Sequence, residues 1–248
     1  MFDSLNLPVG RRRWLGVALI AAAGLSAQPV LAQDMFGALE AQGAFAEQQN
    51  YAASLHAYYG GGQREALEED RSNVSAATLT PEQLERLERY SREREAEQQA
   101  AYDRWRTGSW QYFQGREDAG PGEFCSAMYQ NPQGIVTLSG FDDSWEGGLL
   151  MLTGDKIPRP RRFEEITVTL TQSGEAPVTI RAFNRARDPR MYDMGTIVIA
   201  VPTMEGAIDG MAEEQEFVLS VRGREAFRLA WKDGLTAAGE LRKCVADR

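Results

Sequence analysis

Between positions 163 and 171 the chain alternates. Ile166, Val168 and Leu170 fall on one side, and Thr167, Thr169 and Thr171 on the other. Period-two alternation marks a strand with one face against a core. The same grammar runs through the C-terminal half. Strands are predicted around Trp110 and Tyr112 and over 123–129, 134–139, 148–152, 177–183, 196–201 and 217–221. In a last strand, Phe227, Leu229 and Trp231 point one way, with Arg228 and Lys232 the other. Asn131-Pro132-Gln133-Gly134 reads as a turn, and Arg222-Gly223-Arg224 as a hairpin joining the final pair. Eight or nine short strands with frequent turns predict an antiparallel β-sandwich or open barrel over 108–248. A helix over about 234–246 closes it, with Asp233 as N-cap and Leu235, Ala238, Leu241 and Val245 as its apolar stripe. The fold class is therefore α+β, mainly β.

The stretch from 33 to 107 has a different pattern, rich in Ala, Glu, Gln and Arg, which favours helix. One helix is predicted over about 35–59, ended by Gly60-Gly61-Gly62, where backbone freedom suits a C-cap. A second is predicted over about 80–106. Thr80 stands as its N-cap, Pro81 at the first helical position and Gln83 at the third, which is a capping box. Its apolar stripe is broken: Leu84, Leu87 and Tyr90 begin it, and Ala101 and Trp105 resume it. In between, Glu82–Arg86, Glu85–Arg89 and Glu88–Arg92 stand four apart and support the helix by charge. A helix polar around its middle is a solvated arm or a partner-binding one. Because the heptads are not sustained, the solvated arm is the favoured reading. Trp105, Trp110, Tyr112 and Phe113 bracket the junction and are expected to tie the arm to the β domain, rather than to form a carbohydrate-stacking platform.

The first 32 residues read as an address. Arg11, Arg12 and Arg13 precede an uncharged apolar run from Trp14, and Val30-Leu31-Ala32 puts small residues where a signal peptidase cuts. The uncharged stretch is just long enough to span a bilayer as a retained anchor, but Pro29 and the small residues favour cleavage after about Ala32. Arg11-Arg12-Arg13-Trp14-Leu15 also fits the twin-arginine pattern, although an ordinary secretory signal accounts for it equally. The expected location is periplasmic or secreted, with no transmembrane segment once the signal is removed. Asn73-Val74-Ser75 would be a glycosylation sequon only in a eukaryotic secretory route.

Export bears on the cysteines. There are two, Cys125 in an early strand and Cys244 in the final helix, and an oxidising compartment makes a disulfide between them the expected state. Neither sits in a CxxC pair or beside a histidine, which argues against a redox or nucleophilic role.

Trp110, Cys125, the strand Phe227–Trp231, Gly234-Leu235, Ala238 and Leu241-Arg242-Lys243-Cys244 form a layout that resembles a group of small envelope domains of proteobacteria. These are typified by the invasion-associated locus B proteins and by a type VI secretion-associated accessory family. The resemblance covers about residues 108–246 and rests on spacing. It implies an exported, disulfide-containing, β-rich domain with no catalytic residues to carry over. The long helical arm before Trp110 departs from that pattern.

The whole chain has 248 residues and a formal net charge of −9, which argues against a nucleic-acid partner. Against that background one segment is basic. Lys156, Arg159, Arg161, Arg162, Arg181, Arg185, Arg187 and Arg190 face only Glu164, Glu165, Glu175 and Asp188 between 156 and 190. This is a candidate patch for an anionic partner such as a lipid headgroup, a polysaccharide or an acidic protein face, including the acidic arm itself. The competing reading is a solvated basic edge that discourages sheet-to-sheet pairing. No nucleophile elbow, phosphate loop, dinucleotide fingerprint or zinc spacing is present, so no cofactor is implied. The single histidine, His56, has no visible partner. Asp142, Asp143 and Glu146 share a glycine-rich turn that does not have calcium-loop spacing. A hydrolase would need Asp142 or Glu146 to meet Glu164 or Glu165. The sequence favours a non-enzymatic module that binds an envelope protein or an anionic envelope polymer. A carboxylate-dependent hydrolase acting on such a polymer, and a small-ligand carrier, are the alternatives.

Overall fold

The computed structural model describes residues 80–142, 146–188 and 193–247. The expected export signal, the helix expected over 35–59, His56, Asn73-Val74-Ser75, Asp143 and Arg190 lie outside the described residues. Helix α1 spans Pro81–Thr107. Nine strands follow: β1 Ser109–Gln114, β2 Cys125–Asn131, β3 Gly134–Gly140, β4 Gly148–Gly154, β5 Glu164–Gln172, β6 Val178–Asn184, β7 Gly195–Val201, β8 Gln215–Val221 and β9 Arg224–Trp231. Helix α2, Met204–Asp209, lies between β7 and β8, and helix α3, Gly234–Val245, comes last.

The cap of α1 forms as the sequence implies. The Gln83 backbone N–H donates to the Thr80 hydroxyl, and the Thr80 N–H donates to the Gln83 side chain. Of the three charge pairs spaced along this helix, only Glu85–Arg89 closes, at 3.4 Å. Leu84, Leu87 and Tyr90 stay exposed, and Trp105 is the buried residue of the helix. The arm is therefore solvated along its length and anchored at its C-terminal turn.

The strands form one antiparallel sheet in the order β1-β2-β3-β4-β7-β6-β5-β8-β9. Of the two expected architectures, the open barrel is the one found: a single sheet curled into a half-barrel. Twist alone bends a sheet, and an irregularity in the β8–β9 register at Leu219 and Ser220 adds local curvature. The curl brings the two edge strands within reach. The Trp110 ring of β1 lies 5.2 Å from Trp231 of β9 and 5.2 Å from Tyr129. Its indole N–H donates to the Lys232 carbonyl at 2.7 Å. Trp110 is thus a closure residue of the fold.

The inner face holds the main core. Val168 and Leu170 of β5, Phe217 and Leu219 of β8, and Leu229 and Trp231 of β9 are buried there with Leu152 and Ile197. Strands β2, β3 and β4 are buried at every position. Their outer side carries a second cluster of Phe124, Phe141, Leu149, Met151 and Val198. These three strands are thus covered on both faces.

Two local expectations are corrected. Asp233 does not cap α3: its backbone is left-handed, with φ of 58°, and its side chain makes no cap bond. Glu213 serves instead. Its carbonyl accepts from the Gly234 N–H at 3.0 Å and its carboxylate from the Leu235 N–H at 3.2 Å. The buried stripe of α3 is Gly234, Ala237, Ala238 and Leu241, whereas Leu235 is 58% exposed. The left-handed entry rotates the helix so that its small residues face the sheet. Helix α2 is too short to announce itself in the hydrophobic pattern. Thr203 starts it, its hydroxyl accepting from the Gly206 N–H at 3.1 Å.

Candidate functional site

Cys125 and Cys244 are joined, with Cα atoms 5.9 Å apart and 119 positions between them. The bond ties α3 to the first residue of β2. Cys125 is fully buried, so the bridge belongs to the structure of the domain rather than to a reactive surface. A disulfide is consistent with an oxidising compartment. No helix among the described residues is long and apolar enough to cross a membrane.

The basic segment divides. Lys156 and Arg159 lie on the connection between β4 and β5 and line a cavity of about 460 Å³. Arg161 and Arg162 follow on the same connection, exposed and without an ion pair among the described residues. The Arg187 N–H donates to the Pro160 carbonyl at 2.9 Å, which brings the segment after β6, with Arg185 and Arg187, beside that connection. Arg181 is separated from them. It projects from β6 on the outer side and its Nε donates to Glu165 at 2.6 Å. That hydrogen bond holds the Glu165 carboxyl below the usual carboxylate range. Arg159 is paired with Asp193, and the bond lowers the Asp193 pKa.

Two cations that the sequence reading took only as turn residues complete the site. Arg222 and Gly223 form the two-residue turn between β8 and β9, with φ of 52° and 75°. A tight turn with both residues left-handed matches strand twist and lets flanking side chains stand out from the end of the hairpin. Arg222 and Arg224 line the same cavity as Lys156 and Arg159. Neither forms an ion pair among the described residues. The carboxylates on the lining are Glu164 and Glu225. Glu225 is already held by Arg228, whose guanidinium donates to it at 2.7 Å and to Glu216 at 2.8 Å. The Glu225 carboxyl is thereby lowered, first by the Arg228 bond and further by the charge of Lys156. The side chains left to meet a ligand are thus mostly cationic.

The inner wall of the cavity is aliphatic, with Pro158, Ile166, Val221 and Ala226, and Asn184 closes it from below. Asn184 is the last residue of β6 and sits in register with Glu164 of β5 and Ile197 of β7. It is 1% exposed, and among the described residues neither its Nδ2 nor its Oδ1 has a hydrogen-bond partner. A buried amide left unpaired costs on the order of 1–3 kcal/mol per polar group.

The carboxylates that a hydrolase would need are kept apart. Glu146 lies before β4, where its carbonyl accepts from the Met204 N–H. Glu164 and Glu165 begin β5, at the opposite end of the strands and three strands across, through β7 and β6. At strand spacings of about 4.8 Å and a rise of about 3.3 Å per residue, three strands across and five or six residues along come to roughly 22–25 Å over the sheet. Glycosidase pairs stand about 5–10 Å apart. Among the described residues no group of three or more potential ligands could hold a metal ion. Inside the curl, the void beside Leu138, Leu150 and Phe217 is about 30 Å³, room for little more than one water. The carrier cavity expected between sheets is not found there. Comparison with protein families, with curated proteins and with solved structures finds no match to this chain.

Proposed function

We propose that this chain is an exported envelope protein whose half-barrel works by binding an anionic partner. The observation that carries the reading is the cavity in which Lys156, Arg159, Arg222 and Arg224 converge from two separate stretches of an acidic chain. A solvated edge that only discourages aggregation has no need of a concave aliphatic wall behind its cations. The resemblance of 108–246 to exported proteobacterial domains supports the same location, and the disulfide agrees with it. In this reading α1 is a spacer about 40 Å long, at 1.5 Å per residue, that holds the domain away from the N-terminal segment.

The test is binding of the full chain to immobilised polygalacturonate, with neutral dextran as control. Retention on the anionic polymer alone, weakening as salt rises from 0.05 to 0.5 M, is the expected result, because exposed charges are screened within about a Debye length. Reversing Lys156 and Arg159 to Glu should abolish it. Equal retention on dextran, or no retention on either, refutes the reading.

A further inference from the structure

We infer that the cavity at the β8–β9 turn is a receptor for the C-terminal carboxylate of a peptide. The inference rests on the anion-binding reading above and adds the chemical class of the ligand.

Three features of the lining converge on it. The first is the amide of Asn184. It is 99% buried, it borders the cavity, and its donor and its acceptor are both unpaired among the described residues. In an extended chain the N–H and the C=O of one residue point to the same side, and that pair is the natural complement. The second is the pair of guanidinium groups. Arg222 and Arg224 flank Gly223 at the tip of the hairpin, exposed and without ion-pair partners among the described residues. Guanidinium forks match a carboxylate with two parallel hydrogen bonds, where Lys156 supplies a point charge. The third is the wall. Pro158, Ile166, Val221 and Ala226 are aliphatic, and among the described residues no aromatic ring lines the cavity. A sugar gains much of its contact by laying its C–H face on an aromatic face, whose quadrupole is negative there. An aliphatic wall suits a small aliphatic side chain instead. A volume of about 460 Å³ lies within the usual range for small-ligand sites.

The arrangement orders the ligand. Its terminal carboxylate meets Arg222 and Arg224 at the rim. The last side chain lies on Ile166 and Val221. The N–H and C=O of the residue before it turn toward Asn184. Glu164, on the same lining, repels a second carboxylate and disfavours acidic side chains next to the terminus.

Calorimetric titration of the full chain tests this with three probes: N-acetyl-Ala-Ala-Ala as the free acid, the same peptide as its C-terminal amide, and trigalacturonate. The acid is expected to bind at least tenfold tighter than the amide. Arg222→Gln with Arg224→Gln, both in an exposed turn, should erase that difference while leaving the thermal midpoint unchanged. Asn184→Leu should weaken the acid and the amide alike, because it removes a contact common to both. If Asn184→Leu fails to fold, the turn variant still decides the question. Equal affinity for acid and amide overturns the inference. Binding of trigalacturonate without the peptide acid also overturns it, while leaving the anion-binding reading intact. Binding of none of the three, together with no retention on polygalacturonate, overturns both.

Discussion

Replacing both cysteines by alanine gives the sharpest test of how this domain is held together. The bridge closes a segment of 119 positions, from the start of β2 to the last turn of α3. In the chain-entropy description, opening a loop that long returns to the unfolded ensemble about 16 cal/mol/K, or about 5 kcal/mol at 25 °C. The folded state loses little, because Ala237, Ala238 and Leu241 still bury α3 against the sheet. Alanine is chosen over serine because Cys125 is fully buried, and a hydroxyl there would add an unmatched polar group. Urea unfolding at pH 7, followed by tryptophan fluorescence, should show a loss of about 4–5 kcal/mol. The thermal midpoint should fall by on the order of 15 °C for a domain of this length. The denaturant slope should rise, since the uncrosslinked chain exposes more surface on unfolding. A loss below about 1 kcal/mol with an unchanged slope would refute the reasoning. The magnitude also bears on location. Whole domains are stable by only about 5–15 kcal/mol, so the same chain kept reduced should lose a third or more of its stability. A bridge of that weight is consistent with an oxidising compartment.

Two further outcomes are expected. A methyl group at Gly234 would lie 2.1 Å from the Ala212 carbonyl oxygen and 2.7 Å from the Trp231 indole nitrogen, which are hydrogen-bonded to each other. Gly234→Ala should therefore cost about 3 kcal/mol or prevent folding, whereas Gly239→Ala, with open space around it, should gain about 0.5–1 kcal/mol from helix propensity; urea melts of the two variants compare them directly. The carboxyls of Glu165, Asp193 and Glu225 are all held below their ordinary range by arginine partners. A folded-state pKa below the unfolded one means that the pairs stabilise fully above the ordinary carboxylate range and lose that effect as pH falls through it. Between pH 7 and pH 3 the urea midpoint of an Arg181→Gln/Arg228→Gln variant should fall less steeply than that of the parent, and parallel slopes would contradict the assignment.

What could be read along the chain was whatever short-range chemistry decides. The α1 cap depends on Thr80, Pro81 and Gln83 alone, so sequence and structure agree there. The alternation of 166–171 needs one buried face and nothing else, and Val168 and Leu170 are buried as it requires. The β8–β9 turn follows from a glycine between two arginines. The disulfide could be expected because the chain holds two cysteines and no others. Other features were settled by contacts between distant segments. Asp233 looks like an N-cap, yet Glu213, brought in from before β8, takes the helix terminus and leaves Asp233 left-handed. Leu235 looks like a core residue, yet the entry angle of α3 turns it to solvent. A single curled sheet in place of two stacked ones depends on strand order and on Trp110 meeting Trp231, positions 121 apart in the chain.

The candidate site divides in the same way. Its charge was visible in Lys156 and Arg159, because a basic run in an acidic chain is a matter of composition. Its shape was not. Arg222 and Arg224 join the site because antiparallel pairing folds the hairpin end over the connection after β4, and Asn184 matters because β6 ends beneath it. Arg181, inside the same basic run, is carried to the outer side by the strand's period of two and spends its charge on Glu165. Local sequence determines which residues can form a helix, a strand or a turn, since those choices depend on neighbours a few positions away. Which side chains then meet, and which are left unpaired in a cavity, is decided by pairing between strands, where one step of register moves every side chain to the opposite face.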